Sequence, residues 1–335
     1  MTALSEHEGP LRLQPRLAAT GDWEHGAGAT VDDVARLGAQ LRRSVEAAVR
    51  MSATTLDIVL ATLIAGGHLL VEDHPGVGKT RLARTLARSL DGRFARVQAT
   101  VDLLPGDVLG TSVWRPESGS FEFLPGPVFA NVLIVDELNR ATPKTQSGLL
   151  EAMQERQVTV DGRTRPITPP FTVIATQNPG AGHDGTYPLP PAQLDRFMAR
   201  ISLGYPSAEQ ELALLRDGRE AALVPVTGPA ALLAAQEAAA GVYASEALLR
   251  YVVDVLDATR RHPLAEVGAS PRAGVLLLAA ARARAALAGR EHVLPDDVQA
   301  LASAVLTHRV QPATAAPPDA AARIISDAIA RVRAR

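Results

Sequence analysis

The sequence predicts an α/β fold: a parallel sheet sandwiched between helices, followed by a domain made of helices alone. Three observations carry that expectation. Short apolar runs at 69–71, 130–137 and 171–179 alternate with segments of helical periodicity, and strands apolar on both faces belong to buried parallel sheets. The first run leads into VEDHPGVGKT (71–80), a Pro- and Gly-rich turn before a helix. From Tyr205 onward strand signals vanish, and patterns such as ALLRYVVDVLDATRR and PRAGVLLLAAARARAALA take over. The chain therefore divides into a loose N-terminal tail (1–30), an αβα domain (31–204) and a helical domain ending in a C-terminal helix (205–335).

The tail mixes Gly, Pro, Thr and charge without periodicity. Apolar residues at Val34, Leu37, Leu41, Val45 and Val49 mark a helix over 31–50, and a second helix is expected at 56–65. After the strand at 69–71 comes a helix beginning at Lys79, then a strand at 94–100. SVWRPESGSFEFLPG has two alternating arms around Glu117-Ser118-Gly119, the sign of a β-hairpin. ANVLIVDE is a strand ending in two carboxylates, and TPKTQSGLLEAMQER is a helix. QVTVDGRTRPITPP reads as a second hairpin turning at Asp161-Gly162. FTVIATQNP is a further strand, and PAQLDRFMARISL holds a short helix and a last strand. Pro317-Pro318 precede the final amphipathic helix, which starts at Ala320.

Composition narrows the function classes. A chain of 335 residues that is 47% apolar and 21% charged is ordinary globular material, large enough for a sizeable core. A net charge of −2 gives no global pull toward nucleic acid or anionic membrane. Without cysteine there is no disulfide framework, thiolate metal site or cysteine nucleophile. The eight histidines show no metal-ligand spacing. The N-terminus lacks the apolar core of a secretory signal, and the run at 58–71 is too short to span a bilayer, so a cytoplasmic protein is expected.

The chemistry starts at Gly78-Lys79-Thr80. Glycines let backbone N–H groups curl around phosphate oxygens, a lysine reaches the β- and γ-phosphates, and a threonine hydroxyl can hold Mg²⁺ at a helix N-terminus. VLIVDE supplies a second half-site at the C-terminal end of a strand, where open α/β sheets bind ligands. Asp136 suits Mg²⁺ and Glu137 suits activation of a water. Asn178, at the end of the next strand, can position that water beside the γ-phosphate.

LPGPVFANVLIVDELNRATPKTQSGLLEAMQERQVTVDG, FTVIATQNP, GTYPLPPAQLDRF and GASPRAG together resemble the MoxR family of AAA+ ATPases, over about 31–310. The resemblance implies an AAA+ αβα P-loop sandwich with a β-hairpin inserted in helix 2 (112–123). A second hairpin precedes the first sensor strand (158–167), and an all-helical lid follows. It implies that ATP binds along Asp73, His74, Pro75, Gly76, Val77, Gly78, Lys79, Thr80 and Arg81, with Thr80 and Asp136 holding Mg²⁺. Glu137 is then the water-activating carboxylate and Asn178 the first sensor. Arg196, in LDRF, matches the arginine finger that reaches a neighbouring subunit's γ-phosphate, and Arg272, in SPRAG, matches the second sensor on the lid. The resemblance further implies a homo-oligomeric, hexameric ring that hydrolyses ATP and remodels or matures a protein client. A partner with a von Willebrand factor A-type domain is part of that expectation, and membrane insertion is not.

The chain departs from the family pattern at three places. Asp73 stands where GxxxxGK[ST] has its first glycine, a variant associated with the resembled family. The VGQ box near the adenine has no counterpart, VRMSATT (49–55) standing there instead, which bears on adenine contacts. Pro191 replaces the usual Glu before the finger helix, which bears on the subunit interface. Two rival readings remain. A nucleic-acid-dependent motor would share the inserted hairpins with helix-2-insert helicases, but the chain has neither an added DNA-binding domain nor overall basic charge. A weakly hydrolysing, nucleotide-gated scaffold would not need Glu137, Asn178 and Arg196 intact. Arg163 and Arg165 at the second hairpin tip either face a central pore or are simply solvated. Trp114 on the first hairpin is either a packing residue or a partner contact.

Overall fold

The computed structural model describes residues 28–73, 76–178, 186–205, 208–209, 212 and 224–333. The expected tail lies outside them except for its last three residues. Helices α1 (Val31–Ala48) and α2 (Ala53–Ile64) open the fold, followed by strand β1 (Leu69–Glu72), helix α3 (Lys79–Ser89) and strand β2 (Phe94–Gln98). A short helix α4 (Pro105–Leu109) leads into the hairpin of β3 (Gly110–Arg115) and β4 (Ser120–Pro125). Next come β5 (Val132–Asp136), α5 (Pro143–Glu155) and a second hairpin of β6 (Gln157–Val160) and β7 (Arg163–Pro166). Strand β8 (Thr172–Gln177), the one-turn helix α6 (Pro191–Leu194) and β9 (Ala199–Ile201) complete the α/β part.

The five long-range strands form one parallel sheet in the order β2–β5–β8–β1–β9. Alternate residues of each strand feed opposite cores, as a period of two requires. Leu69, Val71, Val132 and Ile134 pack with α1, α2 and α3, whereas Leu70, Leu133 and Val135 pack with Leu149, Leu150 and Met153 of α5. Both faces are covered, which is why these strands read as unbroken apolar runs. The chain leaves β1 for the sheet's edge and returns across it to β9, so the loop after β1 sits at the switch in strand order, where such sheets bind ligands.

Helix α1 shows how local chemistry sets an element. Thr30 caps it, accepting from the Asp33 N–H while the Asp33 carboxylate accepts from the Thr30 N–H. Its buried stripe is Val34, Leu37, Leu41 and Val45.

The C-terminal part comprises α7 (Pro229–Ala240), α8 (Glu246–Arg260), α9 (Pro271–Leu287), α10 (Pro295–Leu306) and α11 (Ala320–Arg331). Helix α9 is the hub, packing on α1, α2, α7, α8 and α10. Its buried alanines at 280, 281, 283, 285 and 286 let neighbours approach from several sides. One approach is close enough that a Cβ on Gly38 of α1 would lie 2.3 Å from the Leu287 Cδ2. The region after residue 205 is helical, as expected, with one small addition. Strand β10 (Ala265–Val267) pairs antiparallel with β11 (Gln311–Pro312), held between α8 and α11. Segments of three and two residues carry no readable periodicity.

Among the described residues this helical part does not sit over the loop that follows β1. It packs at the opposite, N-terminal edge of the sheet: the Val226 N–H donates to the Ser89 carbonyl at 2.8 Å, Gln236 Nε2 donates to the Leu63 carbonyl at 2.9 Å, and His308 Nε2 lies 3.1 Å from the Phe197 carbonyl.

Candidate active site

The loop between β1 and α3 is shaped by two glycines in the left-handed region, Gly76 (φ 88°) and Gly78 (φ 97°). A Cβ at either would meet nothing within 4 Å, so it is the backbone conformation and not crowding that calls for glycine. Gly78 is the N-cap of α3 and its carbonyl accepts the first helical bond, from the Leu82 N–H at 2.9 Å. The N–H groups of Lys79, Thr80 and Arg81 therefore lie in the first turn, where no intrahelical carbonyl can take them and an anion can. Val77 is buried; His74 and Pro75 lie outside the described residues.

Lys79 is buried and ties two strand ends together. Its Nζ donates to the Asp73 carbonyl, to the Gln177 carbonyl at 3.2 Å and to Asn178 Oδ1 at 2.6 Å. Burial pulls the ammonium below the ordinary lysine range, while the carboxylates of Asp73, Glu137, Asp136 and Glu72 draw it back up.

Asp136, buried at the end of β5, is the centre of a second network. Its Oδ1 accepts from Thr80 Oγ1 at 3.1 Å and Thr176 Oγ1 at 3.3 Å, and its Oδ2 accepts from Arg96 Nε at 2.8 Å. A threonine hydroxyl and a carboxylate so close make a hard-oxygen donor pair that fits Mg²⁺. Glu137 has a left-handed backbone (φ 55°), sparsely populated for a residue with a side chain. Its N–H donates to Thr176 Oγ1 at 3.0 Å, and its carboxylate accepts from Arg140 Nη1 at 3.0 Å. Thr176 thus fixes the two acidic residues relative to each other. Lys79, Thr80, Asp136, Glu137 and Asn178 are brought to one place, at the C-terminal edge of the sheet.

Asp73 behaves differently from a phosphate-loop residue. Its carbonyl faces Lys79, but its Oδ2 accepts from Ser202 Oγ at 2.9 Å and from the N–H groups of Leu203 and Gly204, both at 2.7 Å. The side chain that displaces a glycine from the loop pattern anchors the chain as it leaves β9. There Gly204 adopts φ 70°, a turn that a residue with a Cβ would resist.

The two arginines lie elsewhere. β9 runs parallel to β1 with Ala199 beside Leu69, and the Met198 N–H donates to the His68 carbonyl at 2.8 Å. Arg196 therefore precedes the N-terminal edge of the sheet, a strand length away from Lys79. It is half-buried, and among the described residues its side chain makes no hydrogen bond or ion pair. Arg272, at the start of α9, reaches the same edge: its Nε is 3.4 Å from Asp195 Oδ2 and its Nη1 is 3.3 Å from Gln154 Oε1. Neither is assembled with the phosphate loop of its own chain. Pro191 opens α6 in the first turn, where a missing N–H costs no helical bond.

Sequence reasoning missed the arginines that partner the carboxylates. Arg140, three residues after Glu137, is readable from helical-turn spacing. Arg96 on β2 and Arg200, 3.1 Å from Glu72, have no signal outside the tertiary fold. Arg165 does not stand free: its guanidinium lies 3.7 Å from the Phe123 ring centroid, joining the second hairpin to the first. Trp114 stacks edge-on with Phe121 at 5.2 Å on the exposed face of the first hairpin. Among the described residues no group of His, Asp and Glu forms a separate metal site.

The chain is similar to known proteins over most of its length. The family described as "ATPase family associated with various cellular activities (AAA)" matches residues 68–199, and the AAA lid domain matches residues 257–328. The uncharacterized protein YeaC of Bacillus subtilis is 45% identical, over 81% of this chain and 86% of its own length. Chaperone MoxR1 of Mycobacterium tuberculosis is also 45% identical, over 75% of this chain and 70% of its own. The crystal structure of a putative ATPase from Cytophaga hutchinsonii superposes with a TM-score of 0.81 at 35% identity, covering 91% of this chain and 97% of that one.

Proposed function

The chain belongs to the MoxR family of AAA+ ATPases, and from that premise we propose that it hydrolyses Mg-ATP at sites shared between neighbouring subunits of a homo-oligomeric ring. One observation carries this reading. Lys79, Thr80, Asp136, Glu137 and Asn178 gather at one edge of the sheet, while Arg196 and Arg272 gather at the other. A subunit cannot turn its own Arg196 onto its own phosphates without unpairing β9 from β1. A head-to-tail neighbour can supply it, and a head-to-tail contact that closes is a ring.

Each residue then has a task. Lys79 exchanges the Asp73 and Gln177 carbonyls and the Asn178 amide for phosphate oxygens. Asn178, released, orients the water, and Glu137, turning from Arg140, takes its proton. Thr80 and Asp136 hold Mg²⁺, which supplies positive charge against the phosphate oxygens. The neighbour's Arg196 offsets charge developing on the transferred group, a role that in other nucleotide hydrolases contributes about 10³–10⁵ in rate. The Asp73 link to residues 202–204 couples the loop to the chain that leaves β9.

The work done is chaperone-like remodelling or maturation of a protein client by a hexameric ring in the cytoplasm, with a von Willebrand factor A-type partner. The name of MoxR1 as a chaperone supports this reading. Among the described residues no helix is long and apolar enough to cross a membrane. The test is ATP turnover per subunit across a range of protein concentrations. Turnover should rise as subunits assemble; full turnover by a dilute monomer would contradict a shared site.

A further inference from the structure

Arg309 lies in the turn after α10, in the lid, yet most of its partners belong to the loop that carries Arg196. Only 1% of its side chain is exposed, so almost nothing of this guanidinium is left to water. Nε donates to Asp195 Oδ1 at 2.7 Å and Nη2 donates to the Asp195 carbonyl at 2.9 Å. Nη2 also donates to the Phe197 carbonyl, and Nη1 donates to the Met198 carbonyl at 3.2 Å and to the Val305 carbonyl of α10. One side chain thus grips the backbone on both sides of Arg196 and leaves Arg196 itself ungripped. The other oxygen of Asp195 faces Arg272.

We propose that Arg309 is a positioning residue for the arginine finger: the lid of each subunit sets where Arg196 is presented to the next subunit's nucleotide. The inference rests on the shared-site reading above. A planar guanidinium can serve a carboxylate and several carbonyls at once, whereas an ammonium has three donors at tetrahedral angles. Arg309→Lys therefore keeps the charge and loses the geometry. A finger displaced by about 1 Å costs on the order of 10² in turnover.

A merely structural role, holding the lid on, also predicts lost activity, so the test uses mixed subunits. Arg309→Lys should bind a fluorescent ATP analogue within about twofold of wild type while kcat falls on the order of 10²-fold. Glu137→Gln is inactive because it lacks the water-activating carboxylate, but its finger is correctly placed. Mixing the two should restore turnover by more than about tenfold over either alone, at interfaces where one supplies Glu137 and the other Arg196. Arg196→Ala mixed with Glu137→Gln is the control. If the control is rescued and Arg309→Lys is not, Arg309 is structural and the proposal fails. Wild-type turnover by Arg309→Lys also overturns it. If the control is not rescued, the shared-site reading fails and the proposal with it. Should Arg309→Lys not fold, by thermal scan and light scattering, Asp195→Asn is put through the same mixing. It removes the charged partner, leaves the carbonyl contacts, and should be rescued in the same way.

Discussion

Replacing Asp73 by glycine restores the common GxxxxGKT loop, and it should harm this protein. If position 73 served only the phosphate loop, Asp73→Gly would be neutral or would favour nucleotide binding. The side chain's hydrogen bonds to Ser202, Leu203 and Gly204 predict the reverse. A hydrogen bond to a charged group contributes about 1.5–3 kcal/mol. The 202–204 segment is partly exposed, so water takes over some of these bonds in the variant and the three together are worth about 2–3 kcal/mol. Glycine's greater freedom in the unfolded chain adds about 0.5–1 kcal/mol. The total, about 3 kcal/mol, corresponds to a fall in melting temperature on the order of 6–12 °C for a domain of this size. Scanning calorimetry, with titration of an ATP analogue and steady-state turnover, gives the readout. Analogue affinity should stay within about twofold while turnover falls, because the loop is no longer anchored to the chain that leaves β9. Unchanged turnover with a melting temperature within about 2 °C of wild type would refute the anchoring role of Asp73.

Three further outcomes are expected. Glu137→Gln should retain ATP and lower turnover on the order of 10²–10⁴-fold, measured by single-turnover assay with trapped nucleotide. Asp297, buried beneath the partly exposed Arg284 and Arg290, suffers a burial penalty on its charge, but the hydrogen bonds from Arg290, the Leu294 N–H and Arg284 outweigh it and hold the carboxyl below its usual range. Asp297→Asn should cost about 2–4 kcal/mol in urea denaturation, under the top of the buried-pair range because both arginines stay partly exposed. Stability should also fall as pH drops below about 6.5. His68 is held neutral, its pKa pushed down to about 3 by burial and by Arg156, while the unfolded histidine protonates near 6.5. The unfolded state therefore binds the extra proton between these values, and each such histidine costs about 1.4 kcal/mol per pH unit there. His308, also driven well down by burial, adds in the same direction. Chemical denaturation at pH 7.5 and 5.5, above the carboxylate range, should show the loss, and His68→Gln should shrink it.

The features legible in the sequence are those set by short-range physics. The strand ending in Asp136 and Glu137 is legible because a buried apolar run switches abruptly to carboxylates. Both hairpins are legible because Gly119 and Gly162 supply the left-handed turn positions that such ribbons need. Partnerships across the fold are not legible. Arg96 meets Asp136 only because β2 pairs with β5, and Asp73 meets residues 202–204 only because β9 pairs with β1. Arg309 looks like one more surface arginine at a helix end, yet 111 residues separate it from the Met198 carbonyl it holds. Arg272 falls on a helix of the lid, as its motif implies. No sequence pattern says which edge of the sheet the lid covers.

The most direct test of a nucleotide site built from two subunits uses two inactive variants, Arg196→Ala and Glu137→Gln, each assayed alone and then mixed at equal concentration under assembling conditions. One neighbour pairing in four joins an intact Glu137 to an intact Arg196, so the mixture should recover on the order of a quarter of wild-type turnover. If the mixture stays as inactive as its components, each subunit completes its own site, and the separation of Arg196 from Lys79 across the sheet has some other purpose.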